Sequence, residues 1–289
     1  RHIISSVVEH SAVRKSLELL EKQGFEITRL APQPDGSIAE ADVMAALRED
    51  TCLVSLMMVQ NETGAVTDIA GIAKAVKAKN PNTLIHTDAV QAFMKVPFSA
   101  KKLGVDLIAV SGHKIHAPKG IGALYIRKGL NLPPYIVGGG QEGRGIYSGT
   151  QPMPSILGFD GAMRALPDLR MQLEQTEQLR DYFVRNATTI PDVVINSGAD
   201  CLPYITNLSV MGHPAQTMLN FLSERGIYVS GGSACSKGHR STVLTAMGLE
   251  PARIDSALRI SFSRFTTKEE IDMLLNGLES GATMLKKKL

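Results

Sequence analysis

The chain has 289 residues, 44% of them hydrophobic and 20% charged, the composition of a globular protein able to bury a sizeable core. A net charge of +3 with scattered basic residues gives no nucleic-acid-binding face, and no stretch reaches the ~18 apolar residues of a membrane helix. Three widely spaced cysteines, Cys52, Cys201 and Cys235, argue against a disulfide framework and against CxxC metal sites, and they fit a reducing, cytoplasmic setting.

Arg1 runs straight into His2–Val8, which reads as a core strand, so an amino-terminal segment is expected to precede the sequence. Val13, Leu17, Leu19 and Leu20 recur at helical spacing and predict a helix over 11–23. Glu26–Leu30 then reads as a strand, Ala39–Arg48 as a helix, and Cys52–Val59 as a near-continuous apolar strand. Ile69–Lys79 reads as a helix, and Thr83–Asp88, Leu107–Val110 and Gly120–Arg127 as strands. Strands that alternate with helices and are too continuously apolar for one-sided burial indicate a mostly parallel α/β sheet, covered on both faces. From about Pro167 the pattern changes to a long amphipathic helix near Arg170–Asn186, strands at Val193–Asn196 and Ile205–Val210, and a helix at Ala215–Arg225. A strand at Leu258–Ser263 and a terminal helix from Lys268 complete a smaller α+β unit, dividing the chain into residues 1–167 and 168–289.

Ligands of such sheets sit beyond the carboxyl ends of the strands. Asn61, Asp88 and the turn Ser111-Gly112-His113-Lys114 all fall there. A lysine after a strand can bond covalently to an aldehyde, and a carboxylate on another strand end can pair with a ring nitrogen, which together describe a seat for pyridoxal 5′-phosphate. Ser111 and His113 can hydrogen-bond a phosphate, and Gln91 and Asn61 carry amides able to reach the cofactor's ring oxygen. Taken singly, Lys114 could be a solvated surface group, Asp88 a turn cap, and either amide a loop residue. His113 and His116 have metal-like spacing, yet no carboxylate or cysteine completes a metal site.

The run Gly138–Gly143 formally matches GxGxxG, but the residues after it, with Pro152 and Pro154, are not expected to open a helix. Cys235 lies in a polar, glycine-rich stretch with Lys237, His239 and Arg240, surroundings that favour a mobile thiolate. Cys52, placed in an apolar strand, and Cys201 lack them. Arg259 alternates within a strand, as either a surface ion pair or a two-pronged clamp on a substrate carboxylate.

In order, Glu9-His10, Gln60-Asn61-Glu62, His86-Thr87-Asp88-Ala89-Val90-Gln91, Ser111-Gly112-His113-Lys114, Ser148-Gly149-Thr150, Ser233-Ala234-Cys235 and Arg259 with Arg264-Phe265-Thr266-Thr267 resemble the NifS/IscS-type cysteine desulfurases. These are class V aminotransferase-type proteins of pyridoxal-phosphate fold type I, and the resemblance spans essentially the whole chain. It implies a large domain with a mostly parallel, seven-stranded-type sheet and a smaller carboxyl-terminal domain. It implies that Lys114 carries the cofactor, Asp88 pairs its ring nitrogen, His10 stacks on the ring, and Asn61 and Gln91 contact its oxygen. Ser111 and His113 would bind the phosphate, with Thr150 reaching it from the neighbouring subunit of a homodimer. Arg259, with Asn61, would hold the carboxylate of L-cysteine, and Cys235 would take its sulfur as a persulfide, leaving L-alanine. A sulfur-acceptor protein of iron–sulfur assembly or tRNA thiolation would then receive it. The family also has a Gly-Ala-Thr turn ahead of Glu9-His10, and where relatives commonly read Arg-Ser-Gly-Thr this chain has Tyr147-Ser148-Gly149-Thr150. Two alternatives stay open: another class V enzyme, such as an aminotransferase or selenocysteine lyase, and a non-catalytic scaffold of the same fold.

Overall fold

The computed structural model describes residues 1–139, 146–231 and 240–288. The first half alternates strands and helices: β1 (His2–Ser6), α1 (Ser11–Lys22), β2 (Glu26–Leu30), α2 (Glu40–Ala46), β3 (Thr51–Met57), α3 (Ile69–Lys79) and β4 (Leu84–Asp88). A short α4 (Ala100–Leu103) leads to β5 (Leu107–Ser111), a 3-10 turn at Gly112–Ile115, and β6 (Gly122–Ile126). These strands form one sheet in the order β2-β1-β3-β4-β5-β6, parallel throughout except for β6, which runs antiparallel to β5. Six strands of this sheet lie among the described residues.

Every residue of β1 is buried, as its central place between β2 and β3 requires. The chain leaves β1 towards β2 on one side and returns to β3 on the other, so a topological switch point lies between β1 and β3.

The second half holds α5 (Met153–Arg164), α6 (Leu169–Ala187), β7 (Val193–Ile195), β8 (Ile205–Val210), α7 (Ala215–Ser223), α8 (Thr242–Ala246), α9 (Pro251–Asp255), β9 (Ala257–Ser261) and α10 (Lys268–Met284). Strands β7-β8-β9 make a small antiparallel sheet. Helix α5 corrects an expectation: Pro152 is its N-cap and Pro154 sits in its first turn, where a missing N–H costs nothing because no helical acceptor precedes it. No helix among the described residues is long and apolar enough to cross a membrane.

Two apolar cores result. One packs Ile4, Val54, Leu56, Ile72, Val76 and Ile85 beneath the large sheet and also takes in Tyr204, Ile205, Leu244 and Ala257 from the second half. The other joins Phe183, Leu208, Met218, Leu222, Leu258 and Leu278 around the small sheet. The large sheet is therefore sealed along one margin by residues more than a hundred positions away, and the strand ends beside that margin carry the candidate site.

Candidate active site

His10, Asn61, Asp88 and Lys114 follow β1, β3, β4 and β5, which are consecutive in the sheet. Three inter-strand steps of about 4.8 Å span roughly 14 Å, the scale of one small aromatic cofactor with its phosphate. Apolar strands hold these polar residues in place, because a register slip of one residue would turn the buried face outward.

Asp88 ends β4 in register with Met57 of β3, while Ala109 of β5 pairs with it on the other side. It is 8% exposed, and its Oδ1 accepts from the N–H of Val90 at 2.9 Å. The turn-capping role and a ligand role thus coexist: one oxygen caps, and Oδ2 makes no hydrogen bond among the described residues. Lys114 sits in the 3-10 turn directly after β5, and that turn closes with His116 in the left-handed region, at φ 67°. Ser111 Oγ and His113 Nδ1 are 2.6 Å apart, a local pair in front of the lysine. Burial, then the charges of Lys114, Lys119 and His10, lower the pKa of His113. His10 caps α1, its Nδ1 accepting from the N–H of Ala12 at 3.2 Å, and its charge contributes to lowering the pKa of His113.

Among the described residues Arg259 makes no ion pair. It lies on β9, paired with Asn207 of β8, and its NH1 donates to the backbone carbonyl of Asn61 at 3.0 Å. Its Nε is buried without a hydrogen-bond partner, and burial lowers the pKa of the guanidinium, with Glu62 opposing. It is a half-buried cation beside the strand ends. Arg259 also lines a cavity of about 620 Å³ with Ser230, Phe262 and Phe265. Gln91 is 7% exposed, with its Oε1 accepting from Lys95 at 3.0 Å.

The structure therefore brings together His10, Asn61, Asp88, Gln91, Ser111, His113, Lys114 and Arg259. Thr150 is exposed and makes no hydrogen bond to them among the described residues. Tyr147, bridged to Ile136, is also exposed. Cys235 and its neighbours Ser233 and Ala234 lie outside the described residues, as does most of the Gly138–Gly143 run. Cys52 lies in β3, as its apolar run predicts, but strand alternation leaves it exposed near the start, and its Sγ donates to the His2 carbonyl at 3.3 Å. Cys201 is buried, and burial raises its pKa.

Sequence reasoning missed two charged groups here. Glu9 is buried beside His10, and Lys95 lies four residues beyond Gln91, to which it is hydrogen-bonded. Their signal was spacing alone, adjacency to His10 for one and i, i+4 from Gln91 for the other.

The donor set fits pyridoxal phosphate. An amine, a carboxylate and a hydroxyl–imidazole pair lie on adjacent strand ends, and among the described residues Asp88 Oδ2 and the buried Arg259 Nε have no hydrogen-bond partner. The aminotransferase class-V family profile matches residues 1–274, and the chain belongs to that family. Cysteine desulfurase 2 of Trichormus variabilis is 40% identical over 279 residues, covering 95% of this chain and 69% of the relative. Cysteine desulfurase IscS of Pectobacterium atrosepticum is 40% identical over 278 residues, covering 94% and 68%. Among solved structures, a NifS-like protein superposes with a TM-score of 0.91 at 37% identity, covering 99% of this chain and 76% of the other. SspA in complex with cysteine gives 0.79 at 34% identity, covering 92% and 74%. Within its family the chain is a pyridoxal-phosphate-dependent cysteine desulfurase.

Proposed function

We propose that this enzyme moves the sulfur of L-cysteine onto Cys235 as a persulfide, using the strand-end residues in the following roles. The Nζ of Lys114 holds the cofactor and takes the proton from the substrate Cα once released, as a general base. Pyridoxal phosphate, when bound, supplies the electron sink that weakens the bonds at the substrate's reacting carbons. Asp88 keeps the ring nitrogen protonated, His10 covers one ring face, and Asn61 and Gln91 donate to the ring oxygen. Ser111 and His113 hold the phosphate, with Thr150 contributed by the second copy of a homodimer. Arg259, steadied by the Asn61 carbonyl, offers its remaining N–H groups to the substrate carboxylate. The Cys235 thiolate forms the S–S bond as the substrate C–S bond breaks; carbon keeps the bonding pair and is protonated to alanine.

The division into residues 1–167, which hold the cofactor, and 168–289, which carry the cysteine, belongs to this reading. So do a cytoplasmic location and delivery of persulfide to an acceptor protein in iron–sulfur assembly or tRNA thiolation. The observation that carries it is the placement of Lys114 and Asp88 on neighbouring strand ends with Arg259 held to Asn61 at 3.0 Å.

Borohydride reduction of the cofactor-loaded enzyme, followed by peptide mapping, should leave the pyridoxyl group on Lys114. Cys235→Ser should abolish alanine and sulfide release while keeping the cofactor spectrum. A label on Lys119 removes the first assignment, and near-parental desulfuration by Cys235→Ser removes the second.

A further inference from the structure

Among the described residues, Lys95 has no ion-pair partner. Its Nζ donates to Gln91 Oε1 at 3.0 Å and stands 5.5 Å from the Tyr204 ring centroid. It shares a cavity of about 100 Å³ with Lys114, His116, Gln172 and Arg264. Burial, then the charges of Lys114 and Arg259, bring its pKa down to about 8, and no carboxylate among the described residues acts on it. Its charge in turn lowers the pKa of His113 and His116, where burial is the larger cause. The ionisable groups around it are thus Lys114, Arg259, Arg264, His113, His116 and Tyr204. Uncompensated cations crowded in this way are costly, which argues for a use.

An ammonium has donors and no acceptor, so the amide end of Gln91 that faces Lys95 must be its oxygen. The NH2 end is then fixed as a donor directed away from Lys95. We propose that Lys95 is a positioning residue: it locks the Gln91 amide with its NH2 toward the ring oxygen of the cofactor and places a standing positive charge beside the amine of Lys114. This rests on the assignment of Gln91 to the ring oxygen made above. A lysine next to another cation is one way an amine is kept neutral and nucleophilic near neutral pH. Lys95 is mostly protonated at neutral pH, given a pKa of about 8, so the charge is present where the enzyme works.

The test is a pH titration of the visible absorbance of the bound cofactor in the holoenzyme. Parent, Lys95→Met, Lys95→Arg, Gln91→Ala and the Gln91→Ala/Lys95→Met double variant are compared. Losing the cation and losing the donor both favour the protonated cofactor, so Lys95→Met should raise the titration midpoint by about one pH unit. Lys95→Arg, which keeps charge and donor, should restore it. The double variant should move the midpoint no further than the larger single change, because the two residues act as one unit. A midpoint moved by Gln91→Ala and unmoved by Lys95→Met overturns the inference alone. A midpoint unmoved by Gln91→Ala overturns the assignment of Gln91 and the inference with it. Lys95→Gln, neutral but still a donor, carries the same titration should Lys95→Met fail to fold.

Discussion

Glu9 is a carboxylate in a place that disfavours its charge. Its Oε1 accepts from Ser6 Oγ at 2.6 Å and from the Met57 N–H at 3.0 Å, while its buried Oε2 has no partner. Burial raises its pKa to about 7, against the two hydrogen bonds, and the neighbouring Asp88 pushes the same way. In the unfolded chain a glutamate ionises near ~4.3. Folding therefore favours the protonated form, and the contribution of Glu9 to stability falls as pH rises from ~4.3 through about 7. Glu9→Gln removes that dependence. It should gain on the parent by about 3 kcal/mol at pH 8 and by little at pH 4.5, read from urea midpoints. An equal difference at both pH values sinks the assignment. The residue also shows what a sequence hides. The strand-end placement of Asp88 and Lys114 was legible because one ends and the other soon follows an apolar run, whereas Glu9 and Lys95 look like solvated charges until the fold encloses them. Cys52 erred the other way, since an apolar run does not say which of its residues turns outward.

At the scale of elements, Asp106 ties four of them together. Its buried carboxylate meets Lys77 of α3 at 2.7 Å and Arg127, just past β6, at 2.6 Å, and it accepts from the N–H of Ile85 in β4 at 2.8 Å. Burial alone would raise its pKa, but Lys77, the Ile85 N–H and Arg127 together hold it below the ordinary value. The stability it contributes is present above ~pH 4 and is lost as pH falls further. Asp106→Asn leaves two cations facing a neutral amide and should cost about 3 kcal/mol at neutral pH, measured by urea unfolding. A cost that persists undiminished at pH 3 contradicts the ionic account. The sheet was largely legible because its strands are long apolar runs between periodic helices; α3 and β2 fall where their patterns place them. The helices that escaped are those whose signal is weak: α4, α8 and α9 are four or five residues long, and α5 opens on prolines that read as breakers.

Across the whole molecule, the loop after β3 is where the large and small sheets meet. Leu202 N–H donates to the Gly64 carbonyl at 2.8 Å, Ser197 Oγ to the Thr63 carbonyl at 2.6 Å, and Ser241 Oγ to Glu62 Oε2 at 2.6 Å. Gly64 has φ 77°, and a Cβ there would lie 2.9 Å from the backbone oxygen of Ile205. Gly64→Ala is therefore strained twice, by its left-handed backbone and by an atom that cannot swing aside. It should cost about 2 kcal/mol and, by displacing Asn61 from Arg259, raise KM for cysteine several-fold. An unchanged KM in a destabilised variant separates the loop from substrate binding. No local pattern foretold this junction: Asn61 and Arg259 are 198 positions apart, and only the packing of one sheet against the other brings them together.

That single hydrogen bond has a consequence for how ligands communicate. In the roles proposed above, the Asn61 peptide serves the cofactor and the Arg259 guanidinium the substrate, and the bond between them makes each restrain the other. Whatever orders the loop after β3 also orders the arginine, so the second ligand meets a partner already stilled. Cofactor and amino acid are then coupled, and reciprocity requires that each tighten the other by the same factor.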